Sequence, residues 1–419
     1  MGDFYQNGIV TTLHNLRSRS LEDLERELIS FSKVRPMSLV LPSLYSELER
    51  PALANIVDEL CDVPYLSEIV IGLDQADRDQ YQHAHEFFSR LPQSNVRILW
   101  NDGPRLQEIH KKLDAQNLAP TELGKGRNVW YCMGYMLASG RGEAIGLHDC
   151  DIVTYKREML ARLLYPIANP NFNYEYAKGF YARIGDQKMR GRVTRLLVTP
   201  LIRALMKVIG HSEWLDYLDS FRYPLAGEFA MRRDVVNDVR IPSDWGLEVG
   251  LLLEMKRNFA NNRICQVDIA DVYDHKHQEL SETDTDKGLS KMSIDISKSI
   301  FRKLATNGAV FTPEIIRSIK ATYFRVALDF VETYRNDALI NGLGYDVHEE
   351  ERSVEMFAQN IMTAGHHFLE NPMDTPFVPS WNRVISAEPE ILTELRAAVD
   401  EDHLEFSNGL SASSVAAKA

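Results

Sequence analysis

Residues 143–151 read Glu-Ala-Ile-Gly-Leu-His-Asp-Cys-Asp. The apolar run at 143–147 has the length and composition of a buried strand, and it ends on two carboxylates separated by one residue. Side chains on an extended chain alternate faces, so Asp149 and Asp151 project the same way while Cys150 points back into the fold. Two hard oxygen ligands then converge at a strand end. Mg²⁺ or Mn²⁺ takes one or two protein carboxylates and fills its remaining positions with phosphate and water, so a divalent ion is the expected occupant. An aspartate capping the next helix is the plainer alternative.

Strand-length apolar runs also occur at 37–41, 69–73 and 96–100, separated by helix-like stretches at 52–60, 77–91 and 106–113. This alternation predicts an α/β layer with a largely parallel sheet, whose ligands bind beyond the carboxyl ends of the strands. Asp149 and Asp151 sit at such an end. Residues 1–35 read as an N-terminal helical arm, with Leu21, Leu24, Leu28 and Phe31 at helical spacing. Residues 36–280 read as one catalytic domain, its nucleotide half reaching to about 151 and its acceptor half following. In that second half, 174–182 and 267–273 read as extended, and 193–209 and 247–259 as helical. Helical patterns at 288–305, 313–334, 350–368 and 389–399, interrupted by a proline-punctuated stretch at 371–379, make 281–404 a helical C-terminal region. The small, polar tail 405–419 is expected to be disordered. Phe324, Leu328, Phe330 and Tyr334 on one helix predict a homodimer contact, with packing on the chain's own catalytic domain as the competing expectation.

The chain of 419 residues is 44% hydrophobic and can bury a large core. Sixty acidic against 47 basic side chains give a net charge of −13, which argues against nucleic acid or an anionic membrane as the main partner. A small anionic substrate would need a metal and a local basic patch, and Lys188, Arg190, Arg192 and Arg195 supply one. No stretch approaches the roughly 20 apolar residues of a membrane span, and no basic-then-apolar signal opens the sequence, so a cytoplasmic protein is expected. Cys61, Cys132, Cys150 and Cys265 are far apart in sequence. They predict neither a disulfide framework nor a zinc site.

Gly124-Lys125-Gly126 opens a helix-like stretch through Trp130 and Met136. A lysine at a glycine-flanked helix start can reach phosphate or a sugar oxygen, although the spacing is not that of a nucleoside-triphosphate P-loop and a plain turn is the competing reading. Further on come Pro224-Leu-Ala-Gly-Glu-Phe-Ala-Met-Arg-Arg233, Asp244-Trp-Gly-Leu-Glu-Val-Gly-Leu-Leu252 and Val272-Tyr-Asp-His-Lys-His-Gln278. In this order after an Asp-x-Asp, these segments resemble retaining glycosyltransferases of the GT-A fold that make glucosyl-3-phosphoglycerate, with mannosylglycerate-type synthases similar over the same stretches. The resemblance covers about 38–278 and is strongest from Gly191 onward.

The resemblance implies a GT-A nucleotide-sugar-binding fold, a Rossmann-like mixed sheet, and it implies roles. Asp149, Asp151 and His275 would hold the metal, with His277 competing for the third place. Lys125, Glu228 and Glu248 would be the catalytic set, and Gly227 would form part of the donor wall. The family's tyrosine near Glu248 is replaced by Trp245. Gly191-Arg-Val-Thr194 would grip the acceptor through Gly191, Arg192 and Thr194, although Met189 and Arg190 depart from the family's glycine run. Pro42 and Glu47 match the segment that cradles base and ribose, and Asp74 is a further donor contact.

The activity so implied is metal-dependent, retaining transfer of glucose from UDP-glucose or GDP-glucose to the 2-hydroxyl of 3-phosphoglycerate, giving a compatible-solute precursor. Transfer of mannose or another hexose to glycerate or a related small acceptor is the near alternative. A sugar-phosphate nucleotidyltransferase would also use an α/β fold and paired aspartates, but it needs a glycine-rich loop after its first strand, and Pro42-Ser-Leu-Tyr-Ser-Glu47 contains no glycine. A noncatalytic nucleotide-sugar-binding subunit is the remaining alternative.

Overall fold

Leu39, Val40 and Leu41 are each at most 1% exposed, with Leu39 and Leu41 packed into one apolar cluster and Val40 into another. Neighbours on an extended chain face opposite sides, so the strand Met37–Leu44 is covered on both faces, as a parallel α/β sheet requires. The structure is a computed structural model that describes residues 6, 8–92, 95–275, 288–372 and 378–416, the last nine of these as backbone only.

Among the described residues one nine-stranded sheet organises the chain. Its strands are β1 (Thr11–Leu13), β2 (Met37–Leu44), β3 (Leu66–Asp74), β4 (Val96–Trp100), β5 (Ala144–Leu147), β6 (Tyr176–Gly185), β7 (Lys188–Met189), β8 (Phe229–Arg232) and β9 (Ile264–Tyr273). Their spatial order is β1-β9-β6-β8-β5-β2-β3-β4, with β7 paired onto β6. β5-β2-β3-β4 are parallel neighbours, and so are β1-β9-β6. β8 runs antiparallel to both β5 and β6. The sheet is therefore mixed, and the start of β8 lies beside the carboxyl end of β5, where ligands bind in such folds.

The helices expected at 52–60, 77–91 and 106–113 are Pro51–Cys61, Arg78–Phe88 and Pro104–Asp114. The first and third open on proline, whose fixed φ suits a helix start. The second opens on a capping box between Asp77 and Gln80.

Expectations change at both ends of the chain. The N-terminal arm does contain the helix Leu21–Phe31, but β1 ahead of it is an edge strand paired with β9, so the arm is built into the catalytic sheet. The C-terminal helices Gly288–Thr306, Pro313–Ile340, Val347–Glu370, Trp381–Ala387 and Ile391–Ala416 also share the catalytic core. Leu196 and Leu201 of the catalytic half belong to the same buried cluster as Ile316, Tyr323 and Phe357. Leu328, Phe330 and Tyr334 pack against that cluster, leaving only Phe324 of the expected dimer contact exposed, because the helix turns its apolar face onto its own chain. The boundary expected near 281 and residues 373–377 of the proline-punctuated stretch lie outside the described residues. No helix among the described residues is long and apolar enough to cross a membrane.

The last helix extends to Ala416 and so continues through most of the tail expected to be disordered. Phe406 is buried against Tyr81 and Trp100, and Ser407 lies 3.2 Å from His85 Nε2, which gives that tail its anchor. His85 Nε2 also stands 3.2 Å from His403 Nδ1. Burial, with Arg97 and His85 nearby, pushes His403 down to about 4, and burial lowers His85 as well. Because the folded pKa lies below the unfolded value of about 6.5, the unfolded chain takes up the extra proton; the contribution to stability is complete above that pH and is lost as pH falls toward 4. Amide exchange in Ile391–Ala416 is expected to accelerate over this interval beyond its intrinsic pH dependence. Unchanged protection down to pH 4.5 would show that the histidine pair does not secure the helix.

Candidate active site

β5 ends at Leu147, and Asp149 and Asp151 follow in the turn just beyond it. The antiparallel register pairs Leu147 with Phe229, so two residues further on Asp149 lies opposite Gly227. A Cβ on Gly227 would come within 2.2 Å of Asp149 Oδ2, so only glycine lets the β8 entry pass this carboxylate so closely. His275 arrives from beyond β9 through a bridge to Ile152, and Val153 N donates to the Asp274 carbonyl at 2.8 Å. Asp149, Asp151 and His275 each offer an atom within 4.8 Å of the others'. His275 Nδ1 approaches Asp151 Oδ1 to 3.5 Å, yet Asp151 Oδ1 and both His275 ring nitrogens are buried without a hydrogen-bond partner. Burial alone would raise Asp151, but the His275 ring and Lys125 outweigh it and hold the carboxyl below its ordinary value. Two carboxylates, an imidazole and unmatched buried polar atoms fit a divalent cation. Cys150 is buried but also lines the cleft, because the chain turns at 150–151 and does not keep the strict alternation of a strand. His277, the competing ligand, lies outside the described residues.

Lys125 is the first residue of the helix Lys125–Ser139. Its Nζ lies 2.7 Å from Asp149 Oδ1 and 3.1 Å from Glu248 Oε1. Burial opposes its charge, but the surrounding carboxylates prevail and raise its pKa. Glu248 belongs to the first turn of the helix Leu247–Asn258, and that turn comes close because Gly126 leaves room for the Pro242–Ser243 backbone, 2.6 Å from where a Cβ would stand. Lys125 and Glu248 both line the cleft, with Trp245 at its rim.

Glu228 is placed differently from the expectation. It is fully buried, its Oε2 accepts from the Tyr181 hydroxyl and its Oε1 from the Tyr273 hydroxyl, both at 2.7 Å. The two tyrosine rings stack with centroids 3.7 Å apart. Both oxygens are engaged and the residue is absent from the cleft lining, so Glu228 supports the wall from behind. Burial raises its pKa, with Asp149 adding to the shift. Lys178, also fully buried, donates to the Ala226 carbonyl at 2.5 Å and fixes the loop that enters Gly227. Burial lowers its pKa to about 8. The sequence signal for Lys178 was a lysine inside an apolar strand.

At the end where the acceptor was expected, Gly191 and Arg192 line the cleft, but the hydroxyl of Thr194 is buried with no hydrogen-bond partner. The Arg192 guanidinium is already held by Glu350 at 2.8 Å and Glu349 at 2.9 Å, from a C-terminal helix whose approach to this end was not expected. Arg190 of the expected basic patch lines the same end, together with Arg183 and Tyr223, which were not anticipated. Leu289, Met292 and Ile296 of the helix Gly288–Thr306 form another unanticipated wall. At the opposite end Pro42, Glu47 and Asp74 line the cleft as expected. Burial raises the Asp74 carboxyl, offset in part by Arg127 at 3.4 Å. The whole cleft has a volume of about 560 Å³, within the range of small-molecule sites.

No protein-family model matches the chain. Its sequence is 47% identical over 403 residues to the glucosyl-3-phosphoglycerate synthase of Persephonella marina, covering 96% of this chain and 99% of that one. It is 40% identical over 409 residues to the synthase of the same name from Methanococcoides burtonii, again over 96% and 99%. In structure it is similar to glucosyl-3-phosphoglycerate synthase from Mycobacterium tuberculosis, solved in complex with Mn²⁺, UDP-glucose and phosphoglyceric acid, with a TM-score of 0.51 and 21% identity over 71% of this chain and 88% of that one. That last likeness is one of fold.

With these relatives, the mixed sheet and the cation-competent corner beyond β5 place the chain among glycosyltransferases of the GT-A type. The two relatives matched along nearly their whole length narrow this further: the chain belongs to the glucosyl-3-phosphoglycerate synthase family.

Proposed function

We propose that this protein transfers glucose from UDP-glucose to the 2-hydroxyl of 3-phosphoglycerate with retention of configuration, using a divalent ion held by Asp149, Asp151 and His275. The observation that carries the reading is a single cleft joining that cation corner to an arginine-lined end, in a chain 47% identical to a glucosyl-3-phosphoglycerate synthase. The bound ion would neutralise charge on the departing diphosphate. Pro42, Glu47 and Asp74 line the nucleotide end. Lys125 stands between Asp149 and Glu248, where its ammonium can take phosphate charge, and Glu248 faces the cleft as an acceptor for sugar hydroxyls. A double displacement needs a free carboxylate beneath the anomeric carbon. Glu228 is engaged by two tyrosines and Glu248 by Lys125, so the chain favours attack on the face the diphosphate leaves. The bond from the anomeric carbon to the phosphate oxygen breaks with its electron pair going to the diphosphate; the acceptor oxygen forms the new bond, and its proton passes to the departing oxygen. The product fits a cytoplasmic compatible-solute precursor.

A donor and acceptor panel read by mass spectrometry tests this. Glucosyl-3-phosphoglycerate from UDP-glucose is the expected main product, with GDP-glucose, a mannosyl donor and glycerate each at least about tenfold poorer, since one lost polar contact is worth that much. A preferred mannosyl or unphosphorylated product would move the protein to the mannosylglycerate-type activity. Donor binding without product would leave a noncatalytic subunit. The homodimer keeps exposed Phe324 as its remaining support, and light scattering at micromolar concentration measures it.

A further inference from the structure

Lys178 belongs to β6, which has β9 on one side and β8 on the other, and it is fully buried. It is registered against Phe229 on β8 and Gln266 on β9. Taking an ammonium out of water is costly unless a group of opposite charge receives it. Among the described residues no carboxylate lies within ion-pair distance of Lys178, and its one hydrogen bond goes to the Ala226 carbonyl, in the loop before β8. The Phe229 ring, 5.8 Å from Nζ, and the more distant charges of Glu248 and Glu228 offset part of the cost. An apolar side chain would fill the same space without the charge, so what the lysine supplies is the bond to this carbonyl.

The consequence for the loop follows from the planar peptide. A trans peptide points its C=O and its N–H in opposite directions. The Ala226 carbonyl is turned into the fold toward Lys178, so the Gly227 N–H of the same peptide is turned outward. Ala226 is fully buried whereas Gly227 lines the cleft, so outward means into the cleft. The backbone on either side is tied down: Ala226 N donates to the Tyr223 carbonyl at 3.1 Å, and the Glu228 carbonyl accepts from Gly179 N at 2.9 Å. Between them the Gly227 N–H meets no acceptor among the described residues. A Cβ at Gly227 would stand 2.2 Å from Asp149 Oδ2, so this free donor lies beside the carboxylate that Lys125 joins to Glu248. A sugar hydroxyl both donates and accepts. Asp149 and Glu248 as carboxylates can only accept from it, and a backbone N–H beside them supplies the complementary donor.

We propose that Lys178 is a positioning residue for the donor: by holding the Ala226 carbonyl it presents the Gly227 N–H to a hydroxyl of the transferred sugar. This rests on the proposed reaction. Lys178 is absent from the cleft lining and acts through a single peptide group. Its anchor is a strand paired on both sides, so the N–H is aimed before the donor arrives and costs no reordering when it binds.

The test compares wild type with Lys178→Met, which keeps the apolar body of the side chain and removes the ammonium. Binding of UDP-glucose and of UDP, each with Mn²⁺, is measured by calorimetry beside Mn²⁺ affinity, melting temperature and steady-state constants. Lys178→Met is expected to weaken UDP-glucose about tenfold, the loss of one polar contact, and to lower the donor kcat/KM by at least that factor. The affinities for UDP and Mn²⁺ and the 3-phosphoglycerate KM should hold. A role in folding alone would instead lower the melting temperature and weaken UDP, UDP-glucose and Mn²⁺ in equal measure. Donors lacking one glucose hydroxyl locate the contact: for one of them Lys178→Met should cause no further loss, because variant and analogue remove the same interaction. Lys178→Gln, shorter but still a donor, should recover part of the UDP-glucose affinity. Wild type gives a reading that needs no stable variant at 178. With isotopic nitrogen at glycine, the Gly227 amide resonance should shift and gain exchange protection with UDP-glucose and not with UDP. If Lys178→Met binds UDP-glucose as wild type does, if it loses UDP and UDP-glucose equally, or if the Gly227 amide does not distinguish the two ligands, the assignment is overturned while the reaction stands. If wild type forms no glucosylated product from UDP-glucose, the proposed reaction itself falls, and this outcome is read before any variant is made.

Discussion

Asp151→Ala is expected to lower kcat/KM by about 10³-fold or more, because several kcal/mol of transition-state charge stabilisation depend on a cation held at this corner. The residue is well placed for so large an effect. Its Oδ1 is buried without a hydrogen bond, 3.5 Å from an imidazole whose two nitrogens also lack partners. None of these atoms serves the fold in that state, so the variant should melt within a few degrees of wild type, as substitutions without a packing or network loss do. Its Mn²⁺ affinity, read by electron paramagnetic resonance without turnover, should fall together with activity. Asp151→Asn keeps the shape and loses the charge, and should fall short of wild type in both readings. Chelation should abolish wild-type turnover, and added Mg²⁺ or Mn²⁺ should restore it. Full turnover in chelator would mean that the three side chains converge for another reason, with Lys125 alone left to carry the phosphate charge.

The strands of the nucleotide half were legible because both of their faces are covered, so each reads as an unbroken apolar run: Leu39, Val40 and Leu41 in β2, and Ile69, Val70 and Ile71 in β3. β8 was not legible. Phe-Ala-Met-Arg is too short to show a period, and its reversed direction is fixed by neighbours far away in sequence. The docking of the C-terminal helices was ambiguous for a related reason. An amphipathic stripe shows that a face will be covered without showing by what, and here Phe330 and Tyr334 are covered by the chain itself.

The site divides along the same line. Asp149, Asp151, Lys125 and Glu248 were found because spacing and local glycines mark them within a few residues. The burial of Glu228 was not legible, because the two tyrosines that engage it come from 47 and 45 residues away. Arg192 drew attention through its motif, while the glutamate that holds its Nε lies 158 residues further on. Arg183, which also lines the cleft, escaped notice because it lies one residue past the expected end of its strand. Local pattern thus singled out the groups that line the cleft, whereas which of them remain free of protein partners is decided by tertiary structure.

Gly227→Ala is expected to reduce kcat/KM by about 10²-fold, the scale of effect that a displacement of about 1 Å produces in a catalytic constellation. The added Cβ would stand 2.2 Å from Asp149 Oδ2, 2.7 Å from Cγ and 3.0 Å from Oδ1, so the carboxylate cannot stay where it is. The backbone at Gly227 is not in the left-handed region, so alanine meets no conformational penalty there and the whole effect passes through Asp149. Asp149 has little freedom to yield, since its Oδ1 is tied to Lys125 at 2.7 Å. A shift therefore disturbs the cation corner and the lysine together. A double-mutant cycle separates this account from general disruption. If Gly227 acts only by leaving room for Asp149, then Gly227→Ala should add almost nothing in a chain that already carries Asp149→Ala, because the two changes remove one interaction. Additive losses in the cycle would show that the Ala226–Gly227–Glu228 loop serves the donor independently. Wild-type activity in the single variant would show that this loop stands further from Asp149 in the working enzyme, and the close passage of β8 past the end of β5 would no longer explain why glycine is required at 227.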